Sequence, residues 1–302
     1  MISSLTSTSY TDTNVANGVT YYYIVTATNT YGESANSIQA AATPSDLHTY
    51  LEFDETSGTT ASDSTGNGHT GTLQNGATWG TGVLNNAVDL SVTTNAYVLL
   101  PSGLLNGLTN ITVATWVKVN TNNTWARIFD FGTGTTANMF LTPASGSPST
   151  VRFAITTSGS GGEQRITNNA ALSTGVWHHV AVTLSGSTGV LYIDGSARGT
   201  NSSMTLNPSS LGSTTQNYIG KSQYADPYLN GSVDDFRIYR RALNAGEVAA
   251  LLIPPTPPAT PTNLTAAGGT AKIILNWAGM PGATGYNIKR SAVSGGPYAF
   301  IG

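Results

Sequence analysis

Residues 177–195 read WHHVAVTLSGSTGVLYIDG, and this stretch decides the fold. Its two apolar segments, 178–183 and 190–193, are short and rich in β-branched residues, which is typical of strands with at least one buried face. The Asp194-Gly195 dipeptide that follows favours a two-residue turn. The chain is therefore expected to fold back as a hairpin into the next segment, SARG.

The same signals recur along the chain. Asn-Gly dipeptides at 17–18, 75–76 and 230–231 are turn signals, and they separate segments that alternate or are rich in β-branched residues. These segments predict further strands, which are expected over residues 20–27 (TYYYIVTA), 111–119 (ITVATWVKV), 151–155 and 233–239.

One helix is predicted after the last of these strands, over residues 243–252. Asn244 is a suitable N-cap, and Glu247 follows it at the spacing of a capping box. Many short strands closed by a single helix predict an all-β sandwich of two packed antiparallel sheets. The side chains expected in its core are those of Phe53, Trp116, Trp177, Val182 and Phe236.

Composition excludes several classes of function. Only 9% of the 302 residues are charged, against roughly 25% in an average globular protein. The net charge is −3 and no basic stripe is present, so nucleic acid is not an expected partner. Cysteine is absent, which excludes disulfides and cysteine-rich zinc sites. No apolar run has the length of a membrane span, and the export signal of a secreted protein would lie outside this chain.

Two breaks divide the chain. One is TPSD at 43–46, and the other is the proline-rich run IPPTPPATP at 253–261, which is expected to form a stiff extended spacer. The predicted domains are a head over residues 1–45, a centre over 46–252, a linker over 253–261 and a tail over 262–302.

The centre carries six short motifs in a fixed order. They are YLEFDE (50–55), DSTGNG (63–68), TVATWV (112–117), WHHVAVT (177–183), YIDG (192–195) and GSVDDFRIY (231–239) followed by RAL. With these motifs the centre resembles the laminin-G-like, concanavalin A-like jelly-roll domain of bacterial extracellular proteins. The resemblance implies a jelly-roll sandwich that acts as a recognition head at the cell surface or in a secreted protein. It also allows a structural calcium ion, which related domains often carry.

The head contains NGVTYYYIVTA at 17–27, and the tail contains IILNW at 273–277 and GYNIKR at 285–290. The head resembles the second half of a fibronectin type III domain, an immunoglobulin-like fold, and the tail resembles the first half. Tail and head together would complete one such domain. They are therefore expected to pair, within one chain or head-to-tail between chains, with Trp277 near Tyr21 and Tyr23. The alternative is that the chain is one period of a repeating array.

Loop aromatics are the candidate carbohydrate-binding residues. Trp125 and Arg127 follow an Asn/Thr-rich loop, while Tyr224 and Tyr228 lie in another polar loop. Exposed rings can stack on the C–H faces of sugars, and the charged and amide groups beside them can hold hydroxyls. The alternative is that these rings cap the core, as loop aromatics often do.

Oxygen-rich residues are the candidate calcium ligands. A hard cation takes six to eight oxygens, which the loop carrying Asp63 and Asn67 could supply in part. Asp234 and Asp235 are adjacent acids that repel each other unless something neutralises them. First and last strands of this type of jelly roll lie side by side, so both groups could share one ion. Alternatively, Asp63 and Asn67 satisfy their own turn, and Asp234 pairs with Arg237 or Arg240.

Catalytic residues are not expected. Glycosidases use two carboxylates that flank the bond, and strand alternation can supply such a pair. Glu52 and Asp54 are the nearest approach but lack the third carboxylate of this fold's glycosidases, and Glu163 has no acidic neighbour in sequence. His178 and His179 point to opposite faces of a strand, so they cannot hold one ion and are expected to be structural.

The sequence thus predicts a non-catalytic carbohydrate-binding or adhesive module of a larger secreted or cell-surface protein, with a polysaccharide or surface glycan as partner. A structural stalk or repeat unit without a small ligand is one alternative. The other is an accessory domain of a polysaccharide-degrading enzyme whose catalytic domain lies outside this chain. Fold by itself does not decide among them.

Overall fold

The structure is a computed structural model of the chain. It describes residues 7–10, 12, 14–17, 19–42, 44–252, 260–279, 286, 288–294 and 296–301. By internal contacts the chain divides into two units, residues 1–252 and residues 253–302. Most of the predicted linker, together with Gly18, Gly285 and Asn287 of the quoted motifs, lies outside the described residues.

Short strands form the head. They pair as two small ribbons, β1 with β4 and β2 with β3. Their bounds are β1 (Tyr21–Tyr23), β2 (Thr28–Asn29), β3 (Gly32–Glu33) and β4 (Ala40–Ala42).

The centre is built from strands β5 to β20. Two short 3₁₀ helices, Ser160–Gly162 and Pro208–Leu211, lie in its loops. The strands are β5 (Leu47–Leu51), β6 (Thr60–Ala61), β7 (Gly71–Gln74), β8 (Thr78–Thr81), β9 (Asn86–Asp89), β10 (Tyr97–Leu100), β11 (Ile111–Thr121), β12 (Phe129–Gly132), β13 (Asn138–Thr142), β14 (Arg152–Thr156), β15 (Gln164–Thr167), β16 (Trp177–Ser185), β17 (Thr188–Ile193), β18 (Ser196–Asn201), β19 (Gln216–Ile219) and β20 (Asn230–Tyr239).

These strands form two antiparallel sheets. Sheet I has the order β15-β14-β13-β12-β19-β10-β7-β6. Sheet II has the order β18-β17-β16-β11-β20-β9-β8, with β5 pairing along β20 as well. The first and last strands of the centre therefore run side by side, as expected, with Phe236 opposite Leu51.

The tail contains two ribbons of its own. They are β21 (Thr265–Gly269) with β22 (Lys272–Asn276), and β23 (Lys289–Arg290) with β24 (Ala299–Phe300). In this unit the ring of Trp277 lies 5.3 Å from that of Tyr286. Within the part of the chain that the structure describes, no helix is both long and apolar enough to cross a bilayer.

Aromatic and aliphatic side chains fill the space between sheets I and II. The rings of Phe129 and Phe131 on sheet I stack 4.9 Å apart. Phe236 of sheet II meets both edge-on, at 6.3 and 6.2 Å. Phe53, Val182 and Phe236 are at most 1% exposed, which confirms their predicted place in the core.

Trp116 and Trp177 were wrongly predicted to lie in this core, since both are only half-buried. On β11 the core-facing residues include Val113 and Val117, so Trp116 points to the opposite, outer face of sheet II. There its ring packs edge-on against His179 at 5.3 Å. Trp177 shares the face of His179 on β16. Strand alternation thus places both indoles outside the sandwich.

The predicted helix is confirmed but shorter. Helix α1 spans Ala245–Ala250, and Asn244 and Glu247 form both hydrogen bonds of a capping box. Val248 buries its side chain in a second cluster with Ala114 and Ala181 on the outer face of sheet II. The helix therefore closes that face.

The turn predicted at Asn230-Gly231 is wrong, because both residues belong to β20. Gly231 pairs with Val119, and a Cβ at this position would collide with the carbonyl oxygen of Lys118. The glycine permits a close approach of two backbones here. By contrast, Asp194 and Gly195 do form the turn between β17 and β18, with φ of 50° and 73°.

Phe236→Ala should lower the free energy of unfolding by about 3–5 kcal/mol, because it leaves a cavity between the sheets. Leu99→Ala is the matched control. Leu99 lies on the outward face of sheet I and is 36% exposed, so its loss should cost under about 1 kcal/mol. Urea denaturation measures both, and equal losses would contradict this assignment of the core.

Candidate functional site

The candidate site lies on the face of sheet I that points away from the core. Strand register places one row of side chains across this face, because cross-strand partners share a face. In the middle of the row, Asp130, Phe140 and Ala154 are at most 1% exposed. Other groups therefore cover this part of the outer face. From β10 to β15 the row is Leu99, Tyr218, Asp130, Phe140, Ala154 and Arg165.

A pocket of about 350 Å³ opens on this face. Three of the four predicted carbohydrate-binding residues line it, namely Trp125, Arg127 and Tyr224. The fourth, Tyr228, is not part of its wall and packs instead 6.1 Å from the ring of Tyr97. The remaining lining residues are Arg152, Ser160, Glu163, Arg165 and Asp226.

Arg127 is the centre of the pocket floor. Its guanidinium carbon lies 3.9 Å from the ring centroid of Phe140, and the residue is 2% exposed. Its nitrogens pair with Asp226 at 3.0 Å and with Asp130 at 3.5 Å, and Nη1 donates to the carbonyl of Trp125. A buried charge needs such partners, and here they also join the loops around 125 and 226 to the sheet.

Burial raises the pKa of Asp130 to about 7, against the lowering effect of Arg127. One oxygen of this carboxylate accepts from the backbone N–H of Gln223 at 3.0 Å, and the other is buried without a partner. Asp130 therefore anchors the loop 220–229 from below, while Arg127 anchors it from the side.

Trp125 lies at the pocket wall in a left-handed backbone conformation, with φ of 68°. This conformation is uncommon for a bulky residue and persists where the surroundings fix it. Here the Trp125 N–H donates to Ala144 at 2.8 Å, and the Ala126 N–H donates to Asn123 at 3.0 Å. The half-buried indole is thus held in place by the loop rather than by the core.

Tyr224 also lines the pocket, from the loop between β19 and β20. Its hydroxyl donates to the carbonyl of Thr135 at 2.8 Å, and its N–H donates to Ser222. The Ser222 hydroxyl in turn donates to Asp226 at 2.9 Å. The loop is therefore braced by its own polar side chains.

Five pocket residues were not among the predicted carbohydrate-binding residues, namely Arg152, Ser160, Glu163, Arg165 and Asp226. Arg152 Nη1 lies 3.5 Å from Glu163, and burial raises the pKa of that carboxyl against the opposing effect of Arg152. Glu163 does have an acidic neighbour in space, because Asp226 lines the same pocket. The available signal was a charged residue within the otherwise apolar segment VRFAI of β14.

The predicted calcium ligands Asp63 and Asn67 make hydrogen bonds within their own loop and to β5. Both oxygens of Asp63 accept backbone N–H groups, from Tyr50 and Thr65 on one side and from His69 on the other. Asn67 donates to the carbonyl of His48 at 3.1 Å. Asp63 thereby satisfies its own turn, and both side chains tie the loop to β5.

Asp234 and Asp235 lie at an irregularity in the middle of β20, between the core residues Val233 and Phe236, and Asp235 has a φ of 52°. Asp235 pairs with Arg237 at 3.2 Å and accepts from the Tyr50 hydroxyl, so this residue, rather than Asp234, has the arginine partner. Asp234 accepts from the N–H of Val83 at 2.7 Å. Burial, together with the charge of Asp235, raises the pKa of Asp234 to about 7. A proton on one acid and an arginine beside the other relieve the repulsion between them.

Among the described residues, no three or more His, Cys, Asp or Glu side chains converge so as to hold a metal ion. The four predicted ligands therefore do not form a preassembled carboxylate cluster. Among the side chains of these four residues, Asp234 has an oxygen that is buried without a hydrogen-bond partner, and the other three have no such atom.

The two neighbouring histidines differ in environment, as strand alternation requires. His178 Nε2 is hydrogen-bonded to Ser173 Oγ at 2.6 Å, and its Nδ1 is hydrogen-bonded to Asp194 Oδ2 at 2.8 Å. A second pocket of about 270 Å³ lies beside this residue. His179 is 2% exposed, and its Nδ1 has no partner. Burial lowers the pKa of His179 to about 4. The sequence did not reveal the Ser173–His178–Asp194 chain.

His48 and His69, which are distant in sequence from the other two histidines, are in contact with each other. Their rings lie 4.3 Å apart, and His48 Nε2 bonds to the carbonyl of Leu104 at 2.7 Å. Burial lowers the pKa of His48 to about 4. These two histidines join β5 to its neighbouring loops.

A model of the concanavalin A-like lectin/glucanases superfamily matches residues 92–249, more than half of the chain. The chain belongs to this superfamily. The matched range contains the whole pocket, from Trp125 to Asp226.

Two solved structures share the fold. Domain 4 of AbnA, an extracellular GH43 arabinanase from Geobacillus stearothermophilus solved with arabinotriose, is 21% identical, with a TM-score of 0.57 over 68% of this chain and 97% of that one. The binding domain of botulinum neurotoxin serotype C1 is 11% identical, with a TM-score of 0.51 over 68% of this chain and 51% of that one.

A sequence relative matches over a short stretch. An amylopullulanase of Thermoanaerobacterium saccharolyticum is 51% identical over 46 residues, which is 15% of this chain and 4% of that enzyme. The match therefore spans only a small part of the length of this relative.

His179→Gln should change how stability depends on pH. The folded pKa of about 4 lies below the unfolded value near 6.5, so the unfolded chain binds the proton first and acid favours unfolding between these values. Relative to the variant, the wild type should lose about 3 kcal/mol of unfolding free energy as pH falls from 6.5 to 4. Urea denaturation at several pH values measures the difference, which should be constant at pH 7–8. A pH-independent difference would contradict a neutral buried His179.

Proposed function

We propose that this chain is a carbohydrate-binding module, and that its glycan site is the pocket lined by Trp125, Arg127 and Tyr224. These three residues come from two distant loops and were predicted from the sequence to bind sugar. They line one pocket on an outer sheet face, and this is the main observation in support of the proposal. Sugar sites combine aromatic walls with a few fixed polar groups, and this pocket has both.

The rigidity of the pocket favours binding. Arg127, Asp130 and Asp226 fix the floor through ion pairs, and the loop carrying Tyr224 is braced by its own hydrogen bonds. A preformed site orders few groups when the ligand arrives, so less affinity is lost. The similar arabinanase domain was solved with arabinotriose, which is compatible with oligosaccharide binding on this fold.

We infer that the module is non-catalytic. The two carboxylates of the pocket, Glu163 and Asp226, are each ion-paired with an arginine, whereas a glycosidase needs one of them free as nucleophile or base. The Ser173–His178–Asp194 chain has the order of a serine nucleophile and its base, but the Asp194 side chain is 44% exposed. Such a site is wet, and charge stabilisation is weak in water.

The setting of the module is also part of the proposal. The short match to an amylopullulanase and the fold shared with an arabinanase domain support an accessory module of a secreted polysaccharide-degrading enzyme. We propose that the head and tail are fibronectin type III half-domains that act as spacers. Apolar side chains such as Val25 and Ile273 are about 70% exposed, so these segments leave apolar surface for a partner half to cover. Pairing of head and tail stays a prediction.

Tyr224→Ala should weaken glycan binding at least tenfold, because it removes one wall of the pocket and the brace to Thr135. Tyr228→Ala is the matched control, since it deletes a tyrosine of the same loop outside the pocket, and it should change the affinity less than threefold. The measurement is a glycan array followed by calorimetry on the bound oligosaccharide, which should be recovered uncleaved. Equal losses in both variants, binding by neither protein nor variant, or cleavage of the ligand would contradict the proposal.

Calcium stays a prediction from the sequence. An ion that binds only the folded state would add about 2.7 kcal/mol at a hundredfold excess over Kd, and so would raise the melting temperature. The predicted result is a melt that shifts down in EDTA and recovers with calcium chloride. Asp234→Asn should reduce this shift, because Asp234 is the predicted ligand that has an oxygen without a partner. A melt that EDTA leaves unchanged after exhaustive dialysis would exclude a structural ion.

A further inference from the structure

We infer that the pocket selects sugars that carry a carboxylate, and that Arg165 together with Arg152 is the group that recognises it. This inference rests on the proposed glycan site and names the class of its ligand. Three arginines line the pocket against two lining carboxylates, Glu163 and Asp226, while Asp130 lies buried below Arg127, in a chain whose net charge is −3.

Two guanidinium groups already lie close to the indole ring of Trp125. The guanidinium carbon of Arg152 lies 4.9 Å from the ring centroid of Trp125, and that of Arg127 lies 5.7 Å from it. A sugar that stacked on this ring would have to compete with them, since cation–ring contacts at this distance are attractive. Recognition therefore falls to the charged groups of the pocket more than to the indole.

The three guanidinium groups are not equally available. Arg127 is buried and pairs with Asp226 and Asp130, and Arg152 pairs with Glu163. The ion pairs recorded among the described residues include none for Arg165, which is exposed at the pocket on β15. Arg165 is thus the guanidinium free to bind an incoming anion.

Strand register brings Arg165 close to Arg152. Ala154 of β14 pairs with Arg165, and Arg152 pairs with Thr167, so the two arginines are diagonal neighbours on one face. Such neighbours have Cα atoms about 7–8 Å apart. Two long side chains at this spacing can each donate to one oxygen of a shared carboxylate, and such charge-assisted hydrogen bonds are strong.

The local field favours an added anion. Burial lowers the pKa of Arg152, and the positive charges of Arg165 and Arg127 act in the same direction against Glu163. A ligand carboxylate between Arg152 and Arg165 would offset this repulsion. A neutral sugar would leave it in place.

The test is an array of neutral, uronate-containing, sialylated and sulfated oligosaccharides, probed with the full chain. Bound glycans should carry a carboxylate. Calorimetry then compares the best ligand with its methyl ester, which neutralises the charge on the same sugar. We expect the free acid to bind at least tenfold more tightly, and expect 0.5 M NaCl to reduce the preference.

Arg165→Gln should abolish the preference for the acid over the ester, and Arg165→Lys should retain part of it. Arg198→Gln, an equal charge change beside the second pocket, is the control and should retain it. Equal affinity for acid and ester, a preference for sulfate over carboxylate, or an Arg165→Gln variant that still prefers the acid would overturn the inference. Neutral glycans that bind and are lost in Tyr224→Ala would overturn it while leaving the proposed glycan site intact.

Discussion

The packing of Phe129 and Phe131 of sheet I against Phe236 of sheet II is the constraint on which the rest of the structure depends. Because alternate residues of a strand point to opposite faces, burying these rings sends their sequence neighbours outward. Asp130, between the two stacked phenylalanines, is thereby directed to the outer face of sheet I, where it meets Arg127. A charge in that position is tolerated only with partners, so the core indirectly requires the ion pairs that form the pocket floor.

The pocket is a consequence of how the buried charges on this face are satisfied. Arg127 forms an ion pair with Asp226 of one loop and donates a hydrogen bond to the carbonyl of Trp125 in another. These contacts bring together two segments that are distant in sequence. The same loops carry Trp125 and Tyr224, while the strand β15 places the exposed Arg165 at the pocket. Stability and recognition are coupled here, because the ion pairs that hold the loops also set the charge that a ligand meets.

Local patterns in the sequence were sufficient for most of the fold, since turns, capping and alternation act over a few residues. The hairpin at Asp194-Gly195 and the capping box at Asn244 are examples. Which face of a strand is buried depends on its partners, and for this reason Trp116 was misplaced. In the site, Trp125 and Tyr224 could be predicted because they are aromatic residues in polar loops. Arg152 and Arg165 could not, because the register of β14 and β15 brings them to the pocket. That register was not legible from either strand alone.

The most direct test of the account is the response of the indole N–H resonances to a bound oligosaccharide. The chain has five tryptophans, so a ¹H–¹⁵N spectrum reports on each side chain separately. The Trp125 indole resonance should shift during titration, while those of Trp116 and Trp177, on the outer face of the other sheet, should stay in place. A ligand that shifts Trp116 or Trp177 and leaves Trp125 unchanged would place the glycan site on sheet II and contradict the account.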